Sequence, residues 1–456
     1  MIELEPFLEA ARAALGPASV VTDPAVIDTH VWDWTRRWRG SSPAVLRPRS
    51  ADEVAALVAL ARAHHVALTP QGGNTGLVGG SVPLAGEVVV DLRRLHDLAP
   101  VDEAAAQVTA GAGATLAALQ AHVAPQGFSF AVDLSARETA TIGGMVATNA
   151  GGHHVVRYGS MRAQVLGVAA VLGTGAVVEA NPAGLVKDNT GYDLQGLLCG
   201  SEGTLGIVTS VRLRLVPTPA TRAVAVLGLP SVVAAVEALP VLRAQSCLSA
   251  VELMLGGGLE LVAAHLGQSA LLHPVPPCAV LVELAGHADL VLDELGALFA
   301  DLGGEGLGSV AADDAAGVAR LWRWREAHSE AAAALGVALK ADVSLPAHAM
   351  AAFVAEVAPA VLAVAPGATV LVFGHLADGN LHVNVVGAGR AGEQAIDSVL
   401  ALALEHQGSV SAEHGIGTAK RHWLERQHGS AAVQAMRAIK AALDPDGILN
   451  PNVLLP

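Results

Sequence analysis

Cysteine is scarce. The three present in 456 residues, Cys199, Cys247 and Cys278, are odd in number, far apart and set among apolar neighbours. They exclude a disulfide framework and read as buried free thiols of a reducing compartment. Charge is also scarce, at 15% of residues, and most of it is acidic: 27 Lys and Arg against 42 Asp and Glu, a net −15. That balance excludes a nucleic-acid surface and requires a local cluster of cations wherever an anionic ligand binds. A visible targeting presequence is lacking too, since the amino terminus reads Met1-Ile2-Glu3-Leu4-Glu5 and leads into an amphipathic helix pattern, so a cytoplasmic location is expected. The uncharged stretch 357–373 approaches membrane-spanning length, but Pro359, Pro366 and Gly367 interrupt it. It reads as a helix end, a loop and a buried strand, with no transmembrane segment.

What is present is apolar, with 52% hydrophobic residues, enough for two or three globular cores. A strand from Val45, a helix over 51–64, a strand over 66–69 and a glycine loop make a β-α-β-loop unit. Strands follow at 87–92, 107–110, 165–172 and 176–179, the last two joined through Gly173-Thr174-Gly175. The texture shifts at 217–221, which places a domain boundary there: 1–219, 220–420, and a turn-rich segment 421–456 that returns to the first domain.

Residues 375–384 read His-Leu-Ala-Asp-Gly-Asn-Leu-His-Val-Asn. With Asp378-Gly379 as a two-residue turn, position n pairs with 757 − n, and His375 lies opposite His382. Asn384 shares their face by alternation. Ser411-Ala412-Glu413-His414-Gly415 offers a third ligand. His375, His382 and Glu413, with positions left open, describe a catalytic divalent metal site, and these donor types favour Zn²⁺.

Residues 70–81, Pro-Gln-Gly-Gly-Asn-Thr-Gly-Leu-Val-Gly-Gly-Ser, follow a strand. Their glycines free backbone N–H groups to converge on an anion, with Asn74, Thr75 and Ser81 as side-chain donors. The spacing is neither the Rossmann fingerprint nor a Walker loop, and Leu116 stands where the nearby Gly111-Ala112-Gly113 would need a third small residue. Two further segments, 141–152 and 200–207, are equally small and backbone-exposing, and three such loops suit a long, mostly buried dinucleotide.

Taken together, Gln71-Gly72-Gly73-Asn74-Thr75-Gly76, Ile142-Gly143-Gly144, Asn149-Ala150-Gly151-Gly152, Arg157-Tyr158-Gly159, the segment from Lys187 to Asp193, Gly200-Ser201-Glu202-Gly203-Thr204 and Glu413-His414-Gly415 resemble the FAD-linked D-2-hydroxyacid dehydrogenases of the vanillyl-alcohol-oxidase type. The resemblance spans nearly the whole chain. It implies an α+β protein, with a two-lobed FAD-binding domain and a substrate domain built on an antiparallel sheet with helices. FAD would be held by Gln71, Gly72, Gly73, Asn74, Thr75, Gly76, Gly80, Ser81, Thr141, Ile142, Gly143, Gly144, Asn149, Gly152, Glu202, Gly203, Ile207 and Asn450. It would be non-covalent, because Asn74 stands in a loop where some relatives carry the histidine that bonds the flavin; His153 and His154 are ordinary residues near the cofactor. His414 would be the general base. Arg325, Ser329, Lys340 and Asn384 would bind substrate. Physical checks agree in part. A helix over 318–336 puts Arg325 and Ser329 at i and i+4, though Arg320 or Arg323 fits the spacing and a surface ion pair with Glu326 or Glu330 would also explain Arg325. Lys340, alone in an apolar run, would need an anion if buried.

The expected reaction is oxidation of D-2-hydroxyglutarate, with D-lactate, another monocarboxylate or D-malate as the alternative and a flavin-free metal hydrolase as the competing class. The electron acceptor would be an electron-transfer flavoprotein or a quinone, and a homodimer is the oligomeric expectation.

Overall fold

The computed structural model describes residues 4–302 and 307–456. Local chemistry sets the elements. Ser50 accepts from Glu53 N at 3.2 Å and Glu53 reaches back to Arg49 N at 2.6 Å, so the helix Ala51–His64 starts where the sequence predicts. It stops at His65, which turns left-handed at φ 54°. Backbone contacts divide the chain into two units, the first comprising residues up to Gly152, Tyr158–Thr218 and Glu413–Pro456, the second His153–Arg157 and Pro219–Ala412.

The first unit has two four-stranded sheets. In one, Val45–Leu46 and Leu68–Gln71 flank Val88–Asp91 in parallel, and Val20–Val21 adds an antiparallel edge. The helices Leu4–Leu15 and Ala51–His64 supply Phe7, Leu8, Leu57 and Val58 to its core. The other is antiparallel, with Gly206–Arg214 between Gln107–Gly111 and Val165–Leu172, and Val177–Ala180 at the edge. The last residues close the first sheet, because Leu449 bridges to Leu68.

The second unit is a seven-stranded antiparallel sheet in the order Ser309–Ala312, Thr221–Leu229, Cys278–Gly286, Leu248–Leu255, Thr369–His375, Asn380–Val386, Ala338–Ser344. The helix Ala315–Ala334 packs Leu321, Trp324, Ala327 and Ala331 onto Val224, Val226, Met254 and Leu281 of one face. The 357–373 stretch resolves into the end of a helix, Ala347–Val364, and the strand that starts at Thr369. Among the described residues this helix alone is long and apolar enough to cross a membrane. Its buried Met350, Phe353, Val357 and Val361 form a stripe at helical spacing, and it packs on the helix Gly392–Glu405. All three cysteines are buried and free. Burial pushes the Cys199 and Cys278 thiols up to about 11.

Candidate functional site

Close backbone approach explains the first glycine loop. A Cβ on Gly72 would lie 2.1 Å from Thr141 Oγ1, and one on Gly73 would lie 1.8 Å from the Thr139 carbonyl oxygen. The loop also relies on its own polar side chains. Gln71 Nε2 donates to the carbonyls of His30 and Ser81, Asn74 Nδ2 donates to Trp32 O, and Ser81 Oγ donates to Asn74 Oδ1. The Asn74 and Ser81 side chains, read above as anion donors, thus also shape the loop. Beside the loop opens a cavity of about 310 Å³ lined by Gln71–Asn74 with His30, Trp34, Arg36 and Arg93.

The second glycine segment is not a plain loop. Ile142–Thr148 is a short helix, capped by Thr141 Oγ1 accepting from Gly144 N and ended by Asn149 at φ 51°. Glycine at 143 is needed because a Cβ there would strike Ala112 at 2.6 Å. Thr141 and Asn149 are caps first, a role that a reading of polar residues between glycines misses.

The third loop is tied to the carboxy-terminal part of the same unit. Glu202, left-handed at φ 52° and buried, accepts from the N–H groups of Ile416 (2.8 Å) and Gly417 (2.7 Å). Burial pushes its carboxyl up to about 7, against the pull of those two donors. Asn450 Nδ2 donates to the carbonyls of Gly80 and Glu202 at 2.8 Å each, joining two glycine loops. Ile207 packs in the core, so its part toward a ligand is limited to backbone. Glu413 Oε1 accepts from Gly152 N at 2.7 Å, and a Cβ on Gly151 would hit the same carboxylate at 2.5 Å. The loop carrying Glu413 and His414 is therefore held at both ends, by Gly152 and by Glu202.

In the second unit the histidine hairpin has a different register from the one expected. His375 faces Asn380, and His382 faces Phe373, so paired positions sum to 755 and the turn has four residues, Leu376–Gly379. Leu376 is fully buried and its N–H bonds Val251 O at 2.8 Å, while Gly379 O accepts from Leu345 N at 3.0 Å. The turn is pinned to neighbouring segments, which outweighs the intrinsic preference of Asp-Gly for a two-residue loop. A shift by one pair keeps parity, so both histidines stay on one face as diagonal neighbours, ring centroids 5.1 Å apart.

Each hairpin imidazole meets a buried carboxylate that the sequence reading missed. His375 Nδ1 lies 2.6 Å from Glu252 Oε1, and His382 Nδ1 lies 3.2 Å from Asp342 Oδ1. Burial lowers the His382 pKa to about 4 despite Asp342. Burial opposes ionisation of Glu252, but Arg325 and His375 hold it well below the usual carboxylate range. A signal for both acids existed: each is the lone acid in a short apolar strand, Leu248–Leu255 and Ala338–Ser344.

Of the arginines on the helix Ala315–Ala334, Arg323 pairs with Glu330 on the surface, whereas Arg325 is 4% exposed and reaches Glu252 Oε2 through Nε at 2.6 Å. Its guanidinium stacks over Phe373, 4.7 Å from the ring centroid. Ser329, one turn on, is half-buried. Lys340 corrects the expectation of a buried cation. It is exposed on the edge strand Ala338–Ser344, although nearby protein still desolvates its ammonium and lowers its pKa. It pairs in register with Asn384, which is 2% exposed and whose Oδ1 has no hydrogen-bond partner among the described residues. His154 pairs with Glu283 at 3.2 Å, and His153 packs between Trp322 and His375, with ring centroids at 4.8 and 5.6 Å. One sheet face thus carries Glu252, His375, His382, Asn384 and Lys340 in a polar stripe.

This combination, a glycine-loop unit and an antiparallel-sheet unit with a histidine stripe, is the architecture of a flavin-linked oxidoreductase. A family model described as "FAD linked oxidases, C-terminal domain" matches residues 218–454 and one described as "FAD binding domain" matches residues 42–181; the chain belongs to the FAD-linked oxidases, and FAD is its cofactor. It is similar to a mitochondrial D-2-hydroxyglutarate dehydrogenase of Bos taurus, 39% identical over 98% of this chain and 83% of the relative. It is 38% identical to a D-2-hydroxyglutarate dehydrogenase of Xanthomonas citri pv. viticola over 99% and 97% of the two chains. In fold it resembles p-cresol methylhydroxylase, with a TM-score of 0.82 at 16% identity over 99% and 96% of the chains. The cytoplasmic expectation does not stand, since the Bos taurus relative and those of Rattus norvegicus and Danio rerio are named mitochondrial. Amino-terminal composition was too weak a signal for a compartment.

Proposed function

We propose that this chain is an FAD- and divalent-metal-dependent dehydrogenase that oxidises D-2-hydroxyglutarate to 2-oxoglutarate. The observation that carries the reading is the polar stripe from His375 to Lys340 on one sheet face, in a chain whose relatives named for this activity match it nearly end to end. FAD, held by the three glycine segments, would accept the hydride from the substrate's Cα. A divalent metal, Zn²⁺ by the chemistry of the donors, would be held by His375, His382 and Glu413 and would lower the pKa of the substrate hydroxyl. Glu413 suits this set because the chain leaves the second unit at Ala412, whose N–H faces Asp342 O at 3.4 Å, and Asp342 is the partner of His382. His414, next along, takes the hydroxyl proton on its imidazole. Arg325, Ser329, Lys340 and Asn384, the last through its Nδ2 amide, bind and orient the carboxylates, and the orphaned Asn384 Oδ1 is a buried acceptor that only a donor group can satisfy. An electron-transfer flavoprotein or a quinone then reoxidises the enzyme, which acts as a homodimer.

Two measurements test the cofactor and the metal separately. The purified protein is expected to show an oxidised-flavin absorption band and to release intact FAD on acid or heat denaturation, since Asn74 offers no bond to the ring. A protein that binds no FAD refutes the redox reading, and flavin that stays with the denatured chain refutes only the non-covalent attachment. His375→Ala or His382→Ala should cost most of the bound metal and turnover while bound FAD stays near wild type, because the glycine segments belong to the other unit. Full turnover by a chelated, metal-free enzyme would remove the metal from the reaction.

A further inference from the structure

Glu252 belongs to none of the roles above, yet its geometry is demanding. It has no solvent exposure, lies in register with His375 on the adjacent strand, and divides its two oxygens between two partners: Oε1 meets His375 Nδ1 and Oε2 meets Arg325 Nε, each at 2.6 Å. A buried carboxylate with two short charge-assisted contacts is fixed in position and fixes what it holds. We propose that Glu252 is a positioning residue that couples metal binding to substrate-carboxylate recognition, by locking the His375 imidazole and the Arg325 guanidinium in one chain.

The proposal rests on the metal-site reading above and deepens it. An ionised carboxylate only accepts, so His375 must carry its proton on Nδ1, and the lone pair for a metal is then on Nε2. The same carboxylate sets the plane of Arg325, with Phe373 stacked beneath it. The helix Ala315–Ala334 and the strand Thr369–His375 are thus joined by the Glu252 carboxylate as well as by the stack of Arg325 on Phe373, and a disturbance at either end is felt at the other. Asp342 meets His382 Nδ1 in the same manner.

The test uses full-length, FAD-loaded protein freed of metal by chelation and titrated with Zn²⁺. Glu252→Gln keeps the shape, but its amide can accept from only one of the two donors. The expected result is Zn²⁺ affinity lowered about 10- to 100-fold, KM for D-2-hydroxyglutarate raised, and flavin content and Tm close to wild type. A side chain that only filled the core would lower Tm and leave Zn²⁺ affinity unchanged. His375→Ala separates the two readings. Zn²⁺ binding lost in His375→Ala but kept at wild-type affinity in Glu252→Gln overturns the coupling alone. A wild type that binds no Zn²⁺ overturns the metal reading and this proposal together. Should Glu252→Gln not fold, ¹⁵N-histidine spectra of the wild type decide the matter. A proton on His375 Nδ1, assigned by its absence in His375→Ala, supports the proposal, and a proton on Nε2 instead overturns it.

Discussion

Replacing His414 by alanine is expected to lower kcat for D-2-hydroxyglutarate by roughly 10²- to 10⁴-fold, the usual worth of a positioned general base, while FAD and metal stay bound. The expectation rests on how rigidly its loop is held. Gly152 N–H fixes Glu413 on one side, and Glu202 fixes Ile416 and Gly417 on the other. A Cβ on Gly415 would lie 2.9 Å from Glu202 Oε1, so even the residue after the base is tightly seated. A base presented without reorganisation acts through proton transfer more than through binding, so KM should change little. Steady-state kinetics with flavin and metal analysis of the same preparation check this. Wild-type kcat in His414→Ala would exclude it as the base, and loss of metal alongside activity would make it a ligand instead.

The second large effect is discrimination between acids. On one strand, Asn384 stands two residues from His382, a separation of about 7 Å at the usual rise, and Lys340 pairs in register with Asn384. A five-carbon dicarboxylate anchored at the histidines spans about that distance, and lactate does not. D-2-hydroxyglutarate is therefore expected to exceed D-lactate in kcat/KM by about 10²-fold, the worth of a charge-assisted pair formed in the complex. Lys340→Met should remove most of that preference and leave lactate turnover nearly unchanged. The exposure of Lys340 without substrate makes this variant a clean one, because no buried charge is stranded by it. Equal turnover of both acids by the wild type, or unchanged discrimination in Lys340→Met, would favour a monocarboxylate substrate.

The contrast between Lys340 and Glu252 shows where the sequence could be read and where it could not. A charge in an apolar strand asks for a partner only where the fold buries it. Lys340 is exposed on the edge strand, while Asp342, two residues on in that strand, is buried and meets His382. Glu252, in the same kind of run, lies in a central strand and takes two. Strand order comes from long-range pairing, and no local pattern carries it. Local chemistry was legible. The cap at Ser50 and the left-handed His65 bound the helix Ala51–His64 as the sequence predicts. The hairpin histidines were found on one face, with the register missed by one pair because Val251 and Leu345, remote in sequence, pin the turn. The segment 141–152 looked like a loop because its glycines hide a capped helix that close approach to Ala112 requires.

The bridge from Leu449 to Leu68, and Asn450 with it, has a consequence for synthesis. Domains tend to fold in the order in which they leave the ribosome. Here the first sheet waits for residues made after the whole of the seven-stranded sheet. The two Asn450 bonds that tie the glycine loops at Gly80 and Glu202 together form only once Asn450 is made, so throughout translation the first half of the chain lacks them. The second unit, continuous from Pro219 to Ala412 apart from one five-residue segment made earlier, has no such wait. A nascent chain stalled before residue 449 should therefore gain protease resistance in its later-made portion before its earlier one, a reversal of the usual order.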